Sequence, residues 1–289
     1  MRRLYRDRWG YAFIAPSFAL FAVFFLVPVV WGGYLSLLDY QVFNKEWVGL
    51  GNYKEIFRDS IFWVSLRNTA LYTLGIVPLW LGKALIISAL IFPLAKPIQT
   101  FFKGAFYLPH VTSSVIISMV WLWMFNPPFG LLNYIMELFG FAPHAWLGDV
   151  RTALLSIILM QVVMGGGSSI VLITAAMGSI PYHLYEAAYL DGATKTQAFF
   201  KVTIPLLRPT ILYLMVTGTI SSFQVFTNVY LMTQGGPQFS TMTLVYLIYD
   251  TAFKQFQFGL ASAQAVVLFA IMFALAIAQF RFLGQEVEY

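Results

Sequence analysis

The sequence predicts an all-α membrane protein with six transmembrane helices, and two observations carry that prediction. The 289 residues are 60% hydrophobic and only 10% charged, with a mean hydropathy of +0.75, whereas a soluble domain carries roughly a quarter of its residues as Asp, Glu, Lys and Arg. The charges are also unevenly spread, and several gaps between them reach the roughly 20 mainly apolar residues a helix needs to cross the hydrocarbon core. The same composition excludes a disordered chain, which needs the opposite balance. Cys is absent, which excludes thiolate metal sites, disulfides and cysteine nucleophiles.

No residue between Arg8 and Asp39 is charged. The first span is therefore read as residues 11–35, flanked by Trp9 and Trp31 at the depth of an interfacial aromatic belt. It is too long for a signal-peptide core and lacks a small-residue cleavage site, so it is expected to be retained. The second span covers 66–92, interrupted only by Lys83, which is expected to snorkel to the interface. The third lies between Lys103 and Glu137, centred on 111–125, and the fourth runs from Arg151 to about 177. The fifth occupies 209–232, ahead of the breaker Gly235-Gly236-Pro237, and the sixth 259–280. Two connections carry structure of their own. Asn52 and Glu55 have the spacing of a capping box, and after Asn126-Pro127-Pro128-Phe129-Gly130 a short surface helix is expected over 133–139.

Six helices put both termini on one side, and the Lys/Arg bias says which. With the N-terminus inside, the cytoplasmic segments hold Arg2, Arg3, Arg6, Arg8, Lys96, Lys103, Lys195, Lys201, Arg208 and Arg281. The outer segments hold only Lys45, Lys54, Arg58, Arg67, Arg151 and Lys254. The four N-terminal Arg weigh most, because the first helix usually sets topology. Both termini are expected in the cytoplasm, and the net charge of +5 reflects this orientation rather than a nucleic-acid partner.

The most informative stretch lies between spans four and five, at residues 181–209. Pro181 suits a first helical turn, Asp191-Gly192 breaks that helix, and Thr194 with Gln197 has capping-box spacing for a second. Pro205 and Pro209 are expected to end the second helix and lead into the next span. A paired-helix elbow is far larger than a connection that needs only about 2–8 residues, so it points to insertion into a partner.

Glu186-Ala187-Ala188, three residues, Gly192, nine residues and Val202-Thr203-Ile204-Pro205 resemble the EAA motif of binding-protein-dependent ABC importer permeases. Glu186 through Ala193 is most similar to the carbohydrate-uptake subfamily, which includes permeases for maltose-type oligosaccharides and glycerol 3-phosphate. Val48-Gly-Leu-Gly-Asn52-Tyr53, Tyr107-Leu-Pro109, Gly130-Leu-Leu-Asn133, Thr233-Gln-Gly-Gly-Pro237 and Gly259-Leu-Ala-Ser-Ala263 extend the resemblance along the chain. Two positions depart from it: Met164-Gly-Gly-Gly lacks a Trp often found in span four, and Gln224 stands where many relatives have Asp.

The resemblance implies a MetI-like type I importer permease fold. It divides the chain into an N-terminal helix with an outer loop over 1–66 and a permease core of five transmembrane helices over 67–289, with a cytoplasmic coupling loop at 181–209. It implies a second homologous permease subunit, two ATP-binding cassette ATPase subunits and an extracytoplasmic sugar-binding protein as partners, in the cytoplasmic membrane of a prokaryote. The substrate would be a sugar or oligosaccharide, or alternatively glycerol 3-phosphate, a glycerophosphodiester or a polyol. Glu186, Ala187, Ala188, Asp191, Gly192, Ala193 and Pro205 would couple to the ATPase, with Gly192 required because a side chain would block the bend or the approach of the partner. The chain has no P-loop of its own, since Gly82-Lys83 is followed by Ala84 and Val77 stands in place of the first Gly. It is therefore read as a transport subunit that uses no cofactor and leaves ATP hydrolysis to a partner.

Periodicity adds a reading of its own. Thr210, Tyr213, Thr217, Ser221, Gln224 and Asn228 recur at 3- and 4-residue steps and share one narrow face of span five. Intramembrane polar groups face protein or a water-filled path, so Thr217, Ser221, Gln224 and Asn228, with Tyr230 as an aromatic partner, are candidates for the substrate pathway. The alternative is hydrogen bonding between helices. Thr112, Ser113, Ser114 and Ser118 form a second polar patch expected to pack against span five. His110, His144 and His183 lack metal-ligand spacing.

Overall fold

A computed structural model describes residues 8–283. In chain order the elements are α1 (Arg8–Phe21), a π-helical segment Ala22–Leu26, α2 (Val27–Leu35), β1 (Leu38–Tyr40), β2 (Lys45–Trp47), α3 (Gly51–Arg58), α4 (Ser60–Ile91), α5 (Lys96–Val111), α6 (Ser114–Met124), α7 (Leu131–Leu138), α8 (Ala153–Met164) and α9 (Gly167–Gly178). They continue with α10 (Tyr182–Leu190), α11 (Lys195–Ala198), a π-helical segment Phe199–Thr203, α12 (Ile204–Leu206), α13 (Arg208–Phe223), α14 (Thr227–Met232), α15 (Leu244–Tyr249), a π-helical segment Asp250–Lys254 and α16 (Phe258–Leu283). Among the described residues four helical runs are long and apolar enough to cross a bilayer: Phe13–Leu35, Ser60–Ile91, Arg208–Met232 and Phe258–Phe282. Two bent pairs, α5 with α6 and α8 with α9, meet the same criterion jointly. Arg2, Arg3 and Arg6, which carry much of the orientation reading, lie outside the described residues.

The chain divides into two compact units, Met1–Ser60 with Ile248–Ala270, and Ile61–Leu247 with Ile271–Tyr289. In the first, no residue of the run Phe13–Leu35 is buried, which leaves an all-round apolar helix to lipid or another chain. The antiparallel hairpin β1–β2 pairs Leu38 with Trp47 and Tyr40 with Lys45. Asn52 does not cap α3 as expected: the cap position is Leu50. Its side chain instead donates to the carbonyls of Ser36 (2.9 Å) and Leu38 (2.8 Å), satisfying a buried amide by tying α3 to the hairpin. Gly259 lies against the same strand, where a Cβ would come within 2.8 Å of the Tyr40 amide.

In the second unit the third span departs from expectation. It is not one helix centred on 111–125, because α5 and α6 meet at 90°. Thr112 turns extended (ψ 137°), and Ser113 caps a new helix by accepting from the Val115 amide. Pro109, without an N–H, weakens the last turn before that break. The fourth span bends by 45° at Gly165–Gly166, where Gly166 adopts φ +97°, a left-handed conformation that suits glycine. Span five also loosens, at Gln224–Phe226 between α13 and α14.

Leu81, Ala84 and Ile91 of α4, Ile170, Ile173 and Met177 of α9, and Leu207 and Leu214 near α13 form one buried seam. Lipid is as apolar as these side chains, so shape and hydrogen bonds rather than burial from water must hold such a seam. Those bonds are present: Ser222 donates to Thr73 (2.9 Å), Gln279 to Thr219 (2.8 Å) and Ser88 to the Ile170 carbonyl (3.2 Å). The connection after span three folds around Asn133 at the start of α7. Its amide reaches Pro127, His144 and the Trp146 indole, and His144 bonds Thr152 (3.0 Å).

Candidate functional site

Two places hold the residues singled out by sequence. The elbow is built by local rules. Asp191 caps α10, Gly192 follows at φ +80°, and the amides of Gly192 and Ala193 return to the carbonyls of Tyr189 (3.0 Å) and Ala188 (2.9 Å), a left-handed helix stop. A Cβ on Gly192 would meet nothing within 4 Å. The glycine is therefore required by its backbone, not by crowding at the bend as expected. Thr194 and Gln197 exchange both bonds of a capping box. Pro205 sits inside the single turn α12 and Pro209 in the first turn of α13.

The two limbs of the elbow are clipped by Tyr185 Oη and Thr203 Oγ1 at 2.9 Å. Leu184, Tyr185, Phe199 and Leu206 pack on the buried seam of α4, α9 and α13, so its inner face is fixed to the spans. Glu186, Ala187 and Asp191 are exposed on the other side, with Ala188 and Ala193 half-covered. Leu190 beside them is 90% exposed. That apolar knob was not singled out by sequence, although its position two residues after Ala188 was the available signal.

The second place is a cavity of about 540 Å³ among α4, α8, α9, α13 and α14. Tyr213, Thr217, Ser221, Gln224 and Asn228 of the polar stripe all line it; Thr210 does not. Ser221 and Gln224 are exposed to it and have no side-chain hydrogen-bond partner among the described residues. Thr217 spends its hydrogen on the Tyr213 carbonyl (2.8 Å). Asn228 is buried and bridges helices: its Oδ1 accepts from Ser118 (3.0 Å) and its Nδ2 donates to Gln161 (3.0 Å). Of the second polar patch, Ser118 thus packs on span five and Ser114 lines the cavity, while Thr112 faces away and bonds its own helix. Tyr230 does not line the cavity; its ring stacks on Phe226, with centroids 5.3 Å apart.

Sequence reading missed the opposite wall, which includes Tyr72 and Trp80 of α4, His110, Gln161, Ser168 and Ser169. The available signal was the run Gly165-Gly166-Gly167. A Cβ at Gly166 would press on Trp80, one at Gly165 would come within 2.7 Å of the Gln161 carbonyl beside that ring, and one at Gly167 would come within 2.8 Å of the Tyr107 Cα. Lys83 also departs from expectation, for it does not snorkel. Its Nζ donates to the carbonyls of Val162, Val163 (3.1 Å) and Gly165 (2.5 Å). Those at 162 and 163 lose their helical partners where α8 breaks, and a cation at a helix C-terminus is favoured by the dipole.

No residue described as lining the cavity is Asp, Glu, Lys or Arg. The wall combines hydroxyls, carboxamides and aromatic rings, which suits an uncharged solute rich in hydroxyl groups.

Comparison with known proteins agrees with this architecture. The chain is 32% identical over 281 residues to the lactose transport system permease protein LacF of Rhizobium radiobacter, covering 96% of this chain and 94% of that one. It is 30% identical over 282 residues to the sn-glycerol-3-phosphate transport system permease protein UgpA of Agrobacterium fabrum, covering 96% of each. Its fold matches a chain in the crystal structure of a bacterial ABC transporter that imports the acidic polysaccharide alginate, with a TM-score of 0.86, 21% identity and 99% of each chain covered. Residues 84–288 match the binding-protein-dependent transport system inner membrane component family, and the chain belongs to that family.

Proposed function

We propose that this chain is one of two homologous permease subunits in an importer that carries an uncharged sugar or oligosaccharide across the cytoplasmic membrane of a prokaryote. In this reading it crosses the membrane six times, each bent pair counting as one span, with both termini in the cytoplasm. Two ATP-binding cassette subunits bind below the pair of permeases, one of them docking on this elbow at Glu186, Ala187, Ala188, Asp191, Gly192 and Ala193, and an extracytoplasmic binding protein delivers the sugar. The cavity carries the reading: Ser221 and Gln224 offer unspent hydrogen-bonding groups to it, inside the membrane, on a wall whose described residues include no Asp, Glu, Lys or Arg. Because the elbow packs on α4, α9 and α13, a movement imposed on it by the ATPases reaches helices that form this wall. That is the physical requirement for alternating access.

Glycerol 3-phosphate is the second reading, favoured by the likeness to UgpA. Against it stands the cost of placing an anion in a membrane cavity whose described lining holds no Lys or Arg and only His110 as a side chain able to carry positive charge, since the near cation, Lys83, is committed to backbone carbonyls. Reconstitution of the complete complex in liposomes, with ATP inside and labelled solutes delivered by the binding protein, decides between them. Accumulation of an uncharged sugar is expected. Uptake of glycerol 3-phosphate in preference to every uncharged sugar would reverse the choice.

A further inference from the structure

Trp80 stands apart from the other cavity aromatics in how it is held. A Cβ at Gly166 would lie 3.0 Å from both its Cδ1 and its Nε1, and one at Gly165 3.4 Å from Cδ1. On the other side, a Cβ at Gly218 would lie 3.0 Å from its Cζ3. Three glycines, two on span four and one on span five, thus make room for a single indole that reaches from one span to the other. A Cβ at Gly166 or Gly218 would force the ring to shift, and one at Gly165 would close the remaining clearance on that side. The ring is only half-buried and forms part of the cavity wall.

Its polar edge is free as well. Nε1 has no hydrogen-bond partner among the described residues, and the nearby Gly165 carbonyl is taken by Lys83. Ser169, on the same wall and 1% exposed, has a buried Oγ without a partner. A buried hydroxyl left unpaired costs free energy unless a ligand or water completes it.

We infer that Trp80 is a stacking platform for a sugar ring in this cavity, its indole face taking the C–H face of the ring and its Nε1–H donating to a ring hydroxyl. The inference rests on the sugar reading above and adds a specificity-determining residue to it. Sugar C–H bonds, polarised by their oxygens, are attracted to the electron-rich face of an indole, the largest such face among the side chains. A rigid ring also loses little conformational freedom on binding. The glycine slot fixes the plane of that ring before the sugar arrives, which lowers the ordering cost of binding.

The test uses the reconstituted complex with saturating loaded binding protein and counts sugar molecules moved per ATP hydrolysed. Stacking of this kind is worth about tenfold in an equilibrium. Trp80→Leu is expected to lower the transport ratio by about that factor while ATP hydrolysis stimulated by the binding protein persists, and Trp80→Phe, which keeps a ring, should recover most of it. If the Leu variant does not assemble, Trp80→Met fills the slot with a flexible chain and should show the same loss. A wild-type ratio in Trp80→Leu or Trp80→Met, or equal losses in the Phe and aliphatic variants, overturns the platform and leaves the sugar reading standing. A wild-type complex that carries only glycerol 3-phosphate overturns both, because that solute has no ring to stack.

Discussion

The elbow and the cavity share α9 and α13, yet they are held together over very different distances along the chain. Elbow bonds are short in sequence: Thr194 with Gln197 are 3 residues apart and Tyr185 with Thr203 are 18. Cavity bonds cross 67 residues between Gln161 and Asn228, 80 between Lys83 and Val163, and 110 between Ser118 and Asn228. The elbow is a locally determined object that presents one face and anchors the other. The cavity exists only after four spans have assembled, and these three bonds each join two of them. A single backbone change should therefore disable the elbow without disturbing the spans, whereas damage to the cavity should register in assembly wherever a bridging residue is removed.

The largest expected effect is at Gly192. At φ +80° an L-residue pays about 1–2 kcal/mol, and a β-branched one more, so Gly192→Val should unwind the stop between the limbs and redirect the exposed Glu186–Asp191 face. The expected outcome is normal insertion and pairing with the sister permease, but loss of uptake and of ATP hydrolysis stimulated by the loaded binding protein. Stimulation at the wild-type level in the purified variant would show that this elbow does not transmit the coupling movement. Glu186→Ala, which removes a contact and strains nothing, should give a milder loss in the same assay.

Next is Lys83. Replacing it with Met leaves the carbonyls of Val162, Val163 and Gly165 without their donor, and a buried unsatisfied polar group costs about 1–3 kcal/mol. The purified complex should melt at a lower temperature, and the bend in span four should loosen. An unchanged melting temperature would mean that the lysine reaches the interface and contributes no tie to α8.

These two positions also mark where sequence reasoning reached and where it stopped. Gly192 was legible because a helix stop, a glycine and a capping box are decided within a few residues. Crowding at the bend is not what requires it, since φ +80° does so while a Cβ there would meet nothing within 4 Å in this chain. Four apolar spans, the apolar character of the two bent pairs and the polar stripe of span five are legible from period and length alone. Neither period nor length reveals a break, so nothing in this stretch of sequence announces the 90° turn at Thr112–Ser113. The anchoring of Lys83 and the placement of Trp80 depend on where span four bends relative to span two, and no local pattern encodes that. The glycine triplet was noticed as a departure from the family, but its partner across the interface was invisible until the helices met.

Asn228 and Gln224 separate two roles within one stripe. Asn228 is 8% exposed and bonds Ser118, Gln161 and Tyr72, so Asn228→Leu removes at least two interhelical bonds, worth about 0.6 kcal/mol each in a membrane. A drop in melting temperature should accompany any loss of transport. Gln224→Leu removes a side chain that faces the cavity with no protein partner among the described residues, so the complex should melt normally and transport less sugar per ATP. Equal melting temperatures for the two variants would collapse the distinction between bridging and lining residues.

The smallest effect belongs to the elbow again, at Thr194. Its hydroxyl accepts from the Gln197 amide at 3.3 Å while its own amide donates to Gln197 Oε1 at 2.8 Å. Thr194→Ala removes the first bond and keeps the second. Loss of an N-cap typically costs about 1 kcal/mol, and a helix of four residues exposed at all but Ala198 belongs at or below that value. The other anchors of the elbow, the Tyr185–Thr203 clip and the packing of Phe199 and Leu206 on the seam, remain in place. Hydrogen exchange should therefore speed up at residues 194–198 alone, with uptake lowered by less than about twofold, which corresponds to a fraction of a kcal/mol. If Thr194→Ala instead abolished coupling as fully as Gly192→Val, the second limb would itself be the docking element. The face presented by Glu186, Leu190 and Asp191 would then be a consequence of the fold rather than the contact that drives transport.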